Sequence, residues 1–599
     1  MGETRRDFLK KTLAGALCLG VASMSGPVSA MTKEESGAGI RKCTSSSGVA
    51  AQTVITVSPG EGDMTGAIQE GIEKAKRYRG DSVVINLCNA DYHIYRKSAS
   101  AEVYYASNTT SEAENPDPTK HIGLWLKDME RVTIDGRGAR IITHGEMTPF
   151  VIDSCRNVTL RNLTVAAADP TVAEMTVLDT DSLGMTVRVH PDSGYRIQGG
   201  KLCFTGEGWS FSEGIAQIYD PRQDVVWRSW SPLSGVESVE ELRPGVLRLD
   251  YGRRPEALSG QVFQMRDAIR DEVGGLIQYS RNVVLENVHL AFLGNFGVLG
   301  QMSENLTYRY LTVAPEPGSG RTCAGFADFL HFSGCKGRIV VEHSRFSGSQ
   351  DDAINVHGTH LAVTGFPASD RMSVRYMHPQ TYGFRPFSVG DELELVDAHS
   401  LLPSASFRVK EVRMTSPREV LVTLDRPVPS SWREDGEWVV ENVTHTPEVV
   451  IRHNFFAHIP TRGILVTTRR RVLVEGNTFF RTQMSGVLIA DDARSWFESG
   501  PVKDVTIRGN RFLECASPVI HIAPENDVDR GCVHGNIRIE NNYFRMKDSR
   551  DAVRAKSVSR LTVEGNTFVL PDKVPTDELV RTRECGETKI QGNRMAEPL

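Results

Sequence analysis

The sequence lacks a hydrophobic run long enough to cross a membrane. Its N-terminal apolar stretch, Leu13–Met24, is shorter than the about 20 residues that a spanning helix needs. A twin-arginine export motif, Thr4-Arg-Arg-Asp-Phe-Leu-Lys, precedes this stretch, and Val28-Ser-Ala after it fits a signal cleavage site. We interpret residues 1–30 as a signal peptide and expect an exported protein, periplasmic or attached to the cell surface. An ordinary secretory signal and a lipid anchor on Cys18 are the alternatives.

The sequence also lacks an excess of positive charge and the cysteine spacing of zinc sites. It has 69 Lys and Arg residues and 75 Asp and Glu residues, which gives a formal charge of −6. No stretch of the sequence forms a basic stripe. We therefore expect no nucleic-acid partner. Ten cysteines are present, but spacings such as Cys323/Cys335 and Cys515/Cys532 do not resemble a CxxC pair. We expect no metal ion and no other cofactor.

What the sequence does have is a repeat of about 23 to 33 residues. Val472-Leu-Val-Glu-Gly-Asn-Thr-Phe recurs closely at Val505 and at Leu561. Each copy alternates apolar and polar residues, as a strand with one buried face does, and then has an Asn that we interpret as a corner in a left-handed backbone conformation. The corner residues follow one another at intervals of 23, 33, 32, 24 and 27 residues: Asn454, Asn477, Asn510, Asn542, Asn566 and Asn593.

This repeat predicts an all-β protein built as a right-handed parallel β-helix of the pectin-lyase-like type. The Leu-x-x-Leu-x-Leu pattern of leucine-rich repeats is absent, and a β-propeller has a repeat nearer 40 residues. Residues 63–79 place Met64, Ile68 and Ile72 at helical spacing, with Asp63 as the expected N-cap. We expect this helix to cover the N-terminal end of the β-helix, since a solenoid needs capped ends.

Two long stretches without the repeat interrupt the β-helix. Strand-like alternation continues within them, and a structureless loop of this length is uncommon, so each is interpreted as an inserted β-barrel-like domain. The predicted organisation is a signal peptide at 1–30, β-helix at 51–169, a first inserted domain at 170–270, β-helix coils with the candidate site at 271–359, a second inserted domain at 360–446 and β-helix at 447–599.

The candidate site is a set of three carboxylates, Asp328, Asp351 and Asp352. Asp328 precedes the pair by 23 positions, about one repeat, so the three should crowd one patch where stacked strands lie about 4.8 Å apart. Crowded carboxylates repel one another, which divides their pKa values between a proton donor and a proton acceptor. Such a set suits acid/base cleavage of a glycosidic bond. The pair Asp491-Asp492 has no carboxylate one coil earlier and is interpreted as a solvated turn.

Polar and aromatic residues near the carboxylates are candidate sugar-binding groups. Gln350, His331, Asn355 and His357 flank the carboxylates in sequence. The two histidines are expected to orient carboxylates or sugar hydroxyls rather than to transfer protons, and a structural role is as good an interpretation for them. Trp496 lies in a coil loop and is a candidate for stacking on a sugar ring. A calcium-dependent uronate lyase or epimerase would need an acidic cage and a basic group such as Arg462, and the carboxylate trio fits a hydrolase better.

The motif around these carboxylates resembles two families. The Asp, one-coil gap, Asp-Asp arrangement is similar to the polygalacturonases of glycoside hydrolase family 28. Residues 328–337 and 349–360, together with the export signal and two insertions, more closely resemble glycoside hydrolase family 110, bacterial exo-α-1,3-galactosidases acting on blood-group-B-type glycans. The Gly-His-Gly and Arg-Ile-Lys elements of polygalacturonases are missing.

The resemblance to family 110 implies release of terminal galactose from an oligosaccharide or glycoconjugate, of blood group B type or linear Galα1-3Gal, with inversion. It implies that Asp351 protonates the leaving oxygen while Asp328 and Asp352 deprotonate a water. The inserted domains are expected to narrow the cleft to a pocket. A homodimer is also expected. A polygalacturonase-like hydrolase and a non-catalytic glycan-binding β-helix are the alternatives.

Overall fold

The computed structural model describes residues 39–43, 52–78, 80–434 and 436–597. The predicted signal peptide lies outside these residues. Among the residues described, no helix is both long and apolar enough to span a bilayer. Eight of the cysteines are free thiols, four of them buried: Cys88, Cys155, Cys203, Cys323, Cys335, Cys515, Cys532 and Cys585.

The prediction of an all-β parallel β-helix is confirmed by two long sheets that wind along the chain. The 13-stranded sheet, which we call the site sheet, comprises Ser100–Val103, Thr119–Lys127, Thr148–Asp153, Gly275–Gln278, Val298–Gln301, Leu330–Ser333, Ile354–Thr359, Ile464–Val466, Val487–Ile489, Glu498–Ser499, Ile520–Ile522, Val553–Lys556 and Val580–Arg583. The 23-stranded sheet, which we call the long sheet, comprises Gly39–Cys43, Gln52–Thr56, Ser82–Asn86, Asp91–Tyr95, Glu130–His144, Arg156–Ala167, Arg281–Leu290, Glu304–Arg309, Thr312–Val313, Lys336–Glu342, Arg345–Ser347, Glu448–Arg452, Phe455–Ala457, Arg471–Glu475, Thr478–Phe480, Asp504–Arg508, Arg511–Leu513, His534–Glu540, Tyr543–Arg545, Val558–Glu564, Thr567–Val569, Glu587–Gln591 and Arg594–Met595.

The C-terminal coils stack identical side chains on one another. Rings one coil apart lie 4.8 to 5.0 Å apart in the row formed by Phe456, Phe479, Phe512, Phe544 and Phe568. This spacing is that of neighbouring strands, so the core repeats with the backbone.

The corner asparagines form a second row, but the predicted reason for them is wrong in these coils. The left-handed residue is the one before the Asn, as at Gly509 with φ 62° before Asn510. The Asn side chain instead bonds to the next coil: Asn477 Nδ2 donates to Asn510 Oδ1 at 3.0 Å. In two earlier coils the Asn that follows the repeat strand is itself left-handed: Asn162 has φ 58° and Asn287 has φ 52°.

The predicted cap helix spans Thr65–Lys76, and it buries Ile68, Ile72 and Ala75 against the first coils. Met64, rather than Asp63, occupies its N-cap position. The Asp63 carboxylate lies one residue earlier and accepts a hydrogen bond from the backbone N–H of Thr65 at 3.0 Å. A second short helix spans Ser430–Glu434.

The two insertions are β domains of different construction. The first has a seven-stranded antiparallel sheet and a three-stranded sheet, formed by Ala173–Thr180, Gly184–Val189, Tyr195–Gln198, Lys201–Gly206, Trp209–Phe211, Ile215–Asp220, Val225–Ser229, Ser238–Arg243, Val246–Asp250 and Val262–Arg266. The second is a closed barrel of six strands, Leu361–Ala368, Arg371–Arg375, Glu392–Asp397, Pro403–Met414, Glu419–Leu424 and Trp438–Asn442. Each has a hydrophobic core of its own.

Candidate active site

The three candidate carboxylates stand at the start of two neighbouring strands of the site sheet. Leu330 pairs with Ile354 in parallel register, so Asp328 lies one coil below Asp352. The alternation of these strands turns Leu330 and Ile354 into the core and His331 and Asn355 to the outer face. The sheet therefore fixes the carboxylates at the edge of one outer surface.

The trio is compact. One carboxylate oxygen of each of Asp328, Asp351 and Asp352 lies within 4.8 Å of the other two. The backbone N–H of Asp352 donates to Asp328 Oδ1 at 3.2 Å. Asp328 and Asp352 are buried, whereas the side chain of Asp351 keeps 19% of its surface exposed. The predicted crowding is thus present, and Asp351 is the member that faces solvent.

Burial and mutual repulsion perturb the two buried carboxyls. Burial, followed by the charge of Asp351, raises the pKa of Asp328 to about 8. Burial also raises the pKa of Asp352 to about 7, although the guanidinium of Arg462 opposes the rise. At neutral pH the group therefore shares at least one proton, which is the condition for one site to contain both an acid and a base.

Arginines from a later coil, from the first insertion and from the segment after it neutralise the trio. Arg462 grips Asp352 through Nε at 3.0 Å, Nη2 at 2.7 Å and its backbone N–H at 3.0 Å. Arg228 and Arg270 lie 3.3 and 3.8 Å from Asp351 Oδ2. Three charge-assisted or backbone hydrogen bonds from Arg462 engage both oxygens of Asp352, so Asp352 is held more rigidly than Asp351.

A chain of hydrogen bonds leads away from Asp328 through two buried histidines. His331 Nδ1 lies 2.8 Å from Asp328 Oδ2, and its Nε2 lies 2.7 Å from Nε2 of His357. Nδ1 of His357 donates to the Gly358 carbonyl at 2.5 Å, and Nε2 of His357 lies 3.4 Å from Glu498 Oε1. We call Asp328, His331, His357 and Glu498 the histidine relay. Burial, and then His357, hold the pKa of His331 well below its usual value, so His331 is neutral.

A pocket with a volume of about 200 Å³ opens over the trio. Its floor is the outer face of the site sheet, where Asn355 has a buried Oδ1 with no hydrogen-bond partner. A water molecule's share of liquid is about 30 Å³, so the pocket has room for a small ring molecule. The lining residues are Asn108, Arg270, Asp328, Asp351, Asp352, Asn355, Arg462, Leu465, Thr467, Leu488, Ala490, Asp492, Trp496, Glu498 and Glu525.

The structure separates the predicted sugar-binding residues into two groups. Asn355 and Trp496 line the pocket, and the Trp496 indole is 44% exposed and stacked on His378 at 4.3 Å. Gln350 does not reach it, because its Oε1 accepts from the buried Arg266 at 2.9 Å. His331 and His357 are buried beneath the pocket surface and contact each other. The expected direct contact with a sugar is thus unavailable to Gln350, His331 and His357 in this structure.

Several lining residues carried no sequence signal that distinguished them. Asn108, Arg270 and Glu525 come from loops with no repeat pattern, and Glu498 comes from the two-residue strand Glu498–Ser499, which pairs antiparallel with the end of the strand that carries His357. Asp492, interpreted from sequence as a solvated turn residue, is buried at the pocket wall. Its carboxylate accepts backbone N–H groups from residues 494 to 497 and so shapes the loop that carries Trp496.

The inserted domains supply little of the pocket lining: Arg270, at the end of the predicted first insertion, is the one lining residue within the predicted bounds of either. Every lining residue lies outside the strands of both insertions. The first insertion contributes Arg228, which contacts Asp351, and the second contributes His378, which supports Trp496. The insertions therefore bring side chains to Asp351 and Trp496, and the expected narrowing of the cleft stays a prediction.

Two groups of side chains in the described part of the chain have metal-like spacing: the trio, and His331, His357 and Glu498. In the trio, guanidinium groups already supply the positive charge. In the second group the two Nε2 atoms are 2.7 Å apart, whereas two nitrogens on a tetrahedral zinc lie about 3.3 Å apart. Both arrangements are those of direct ion pairs and hydrogen bonds.

Comparison with known proteins places these features in a family. The models described as GLAA-B beta-barrel domain I and domain II match residues 173–262 and 371–436, and the right handed beta helix region model matches residues 431–568. The last match confirms the predicted handedness.

Full-length relatives match as well. Alpha-1,3-galactosidase A of Bacteroides thetaiotaomicron is 47% identical, with coverage of 90% of this chain and 96% of the relative. Alpha-1,3-galactosidase A of Bacteroides fragilis is 38% identical, with 85% of each covered. Alpha-1,3-galactosidase B of B. thetaiotaomicron is 30% identical, with 84% and 83% covered. At these identities and coverages the chain belongs to the α-1,3-galactosidase A and B family, glycoside hydrolase family 110, as its motifs predicted.

Proposed function

We propose that this protein is an exo-acting glycosidase that hydrolyses terminal α-1,3-linked galactose from oligosaccharides and glycoconjugates. The observation that carries the proposal is the carboxylate trio at the base of a small pocket, in a chain 47% identical to an enzyme named alpha-1,3-galactosidase A. Three carboxylates with shared protons supply acid and base for glycoside hydrolysis.

The size of the pocket supports release of one sugar at a time. A volume of about 200 Å³, closed on one side by the Trp496 loop, suits a single terminal residue better than the interior of a polymer. The orphan Oδ1 of Asn355 and the exposed face of Trp496 are a hydrogen-bond acceptor and a stacking surface for that residue.

The roles of the carboxylates follow the resemblance: Asp351 as the acid, and Asp328 and Asp352 as the base. Their surroundings support this division. Asp352 is paired with Arg462 and Asp328 with His331, while the more exposed Asp351 can regain a proton from solvent. The oxygens lie closer than the about 6.5–9.5 Å usual in inverting pairs, so the spacing does not favour inversion. The proposal of inversion rests on the family alone.

We further propose that the substrates are blood-group-B-type and linear Galα1-3Gal glycans, and that the twin-arginine signal exports the enzyme to the periplasm or cell surface. A homodimer remains a prediction that light scattering can test. The site needs no metal in this scheme, since its residues supply every proton.

The test is digestion of Galα1-3Gal, the branched B trisaccharide, the matching α-glucoside and polygalacturonate in parallel. We expect free galactose from the first two and nothing from the others, because buried hydrogen-bonding groups left unpaired by the wrong hydroxyl can cost a factor of about 10⁴. Oligogalacturonides from polygalacturonate would establish the polygalacturonase alternative. Binding without any released sugar would establish the non-catalytic one.

A further inference from the structure

The hydrogen bonds of the histidine relay require a definite number of protons. A carbonyl oxygen only accepts hydrogen bonds, so Nδ1 of His357 carries a proton toward Gly358. The contact between the two Nε2 atoms, at 2.7 Å, needs one more proton, and the contact between His331 Nδ1 and Asp328, at 2.8 Å, needs another. An ionised Asp328 with two neutral histidines supplies only two protons for these three contacts.

With only two protons, one short contact would bring two lone pairs together in a buried site. The relay is satisfied by a third proton, which can be on Asp328, on His331 or on His357. Burial, which holds the pKa of His331 well below its usual value, disfavours the second of these places, so two are considered. If it is on Asp328, that carboxyl donates to His331 Nδ1, and His331 Nε2–H donates to His357. If it is on His357, the imidazolium donates to His331 Nε2, and His331 Nδ1–H donates to an ionised Asp328.

The two arrangements contain the same number of protons. Conversion breaks the O–H bond of Asp328 and the Nε2–H bond of His331, and it forms Nδ1–H on His331 and Nε2–H on His357. His331 is neutral in both, which agrees with its depressed pKa. Only the second arrangement leaves Asp328 able to accept a proton.

Glu498 is placed to select the second arrangement. Its Oε1 lies 3.4 Å from Nε2 of His357 and accepts from Asn108 Nδ2 at 2.9 Å. Burial acts to raise the pKa of Glu498, but His357, His331 and Asn108 outweigh it and hold the pKa below its usual range. A negative charge here stabilises an imidazolium on His357.

We propose that Glu498, acting through His357 and His331, keeps Asp328 ionised so that Asp328 can accept the proton of the attacking water. This positioning role rests on the proposed function of Asp328. The charged groups that act directly on Asp328 divide in sign: Asp351 and Glu498 itself oppose its ionisation, and Arg270 and Arg462 favour it. The effect proposed for Glu498 therefore runs through the position of the proton on the two histidines and must exceed its direct repulsion of Asp328. Those that act on Glu498 are His357, His331 and Arg462.

The first test is the pH dependence of kcat/KM for Glu498→Gln. Without the negative charge the third proton returns to Asp328, so the base is lost at a higher pH than in the wild type. We expect the acidic limb of the profile to move up by at least about one pH unit. At pH values below the acidic limbs of both proteins, kcat/KM of the variant should then be about tenfold lower than that of the wild type, and this difference should shrink as the pH rises. A deficit that is equal at every pH, with the limb unmoved, would overturn the proposal.

The matched control is Glu525→Gln, which removes a carboxylate that lines the same pocket and has no hydrogen bond to the relay. Its acidic limb should stay at the wild-type pH, whatever its effect on KM. A shift as large as that of Glu498→Gln would mean that any lost pocket charge moves the limb, and the relay would then have no special role.

The second test reads the proton directly and does not need activity. In protein labelled with 15N-histidine, the His357 signal, assigned through His357→Gln, should be that of an imidazolium at pH 7 and become neutral in Glu498→Gln. A neutral His357 in the wild type overturns the relay, as does one equivalent of bound metal that His331→Ala removes. If the wild type releases no galactose but His357 is charged, the proposed function fails and the relay stands.

Discussion

Replacement of Asn510 by Ala tests how the coils below the pocket are held in register. Asn510 is fully buried, and its Oδ1 accepts from the backbone N–H of Asn477 at 2.9 Å and from Asn477 Nδ2 at 3.0 Å. Its Nδ2 donates to the Val474 carbonyl at 2.9 Å and to Asn542 Oδ1 at 3.0 Å. Nδ2 also lies 3.0 Å from the Arg508 carbonyl, and truncation to Ala removes all five contacts at once.

The magnitude follows from the groups left behind. The Asn477 amide N–H and the Val474 carbonyl lose these side-chain partners in the interior, and each buried group left unpaired costs about 1–3 kcal/mol. The two together predict a loss of about 2–6 kcal/mol in the free energy of unfolding. Asn593→Ala, at the half-buried end of the row, should cost less, since water can replace its contacts.

The assay is thermal unfolding followed by circular dichroism, with galactose release measured well below the transition. Asn510→Ala should melt several degrees below the wild type but retain its turnover, because Asn510 does not line the pocket. Arg511→Ala, an exposed neighbour, is the control and should change stability by no more than about 0.5 kcal/mol. If Asn510→Ala unfolds at the same temperature as Arg511→Ala, the row of asparagines contributes nothing to stability and the reasoning is refuted.

Two further predictions concern the chemistry. Asp351→Asn and Asp352→Asn should each lower kcat at least about 10²-fold while the far-ultraviolet dichroism stays unchanged, because each loses a proton-transfer group without a change of shape; a variant that keeps a tenth of wild-type turnover would remove its residue from the scheme. Proton NMR should detect the β anomer of galactose before the α anomer, and the opposite order would indicate a covalent intermediate and a retaining enzyme.

The fold could be predicted from the sequence because each coil repeats the same pattern of buried side chains. Apolar residues at alternate positions, such as Val472 and Val474, must face a common interior, and a Phe at a constant offset stacks on its equivalent. The reason for the corner Asn was not readable. A left-handed corner and a ladder of side-chain amide hydrogen bonds both favour Asn at almost the same position of the repeat. Only the backbone angles show that the left-handed residue is Gly509 and not Asn510.

The trio was predictable for a related reason, since one repeat of sequence places Asp352 one coil from Asp328. The groups that set its charge were not predictable. Arg462 reaches Asp352 from 110 residues away, and Glu498 reaches His357 from beyond the second insertion. No periodicity connects such positions, because the loops that carry them differ in length from coil to coil.

These distant partners explain how three identical side chains can do different work. Asp352 and Asp328 are nearly equal in burial, but one is bound to a guanidinium that cannot lose its proton and the other to a histidine pair that can exchange one. Asp351 has looser contacts, at 3.3 and 3.8 Å, and access to solvent. The carboxylates acquire their separate roles from the side chains that face them, and the coil that aligns them contributes position alone.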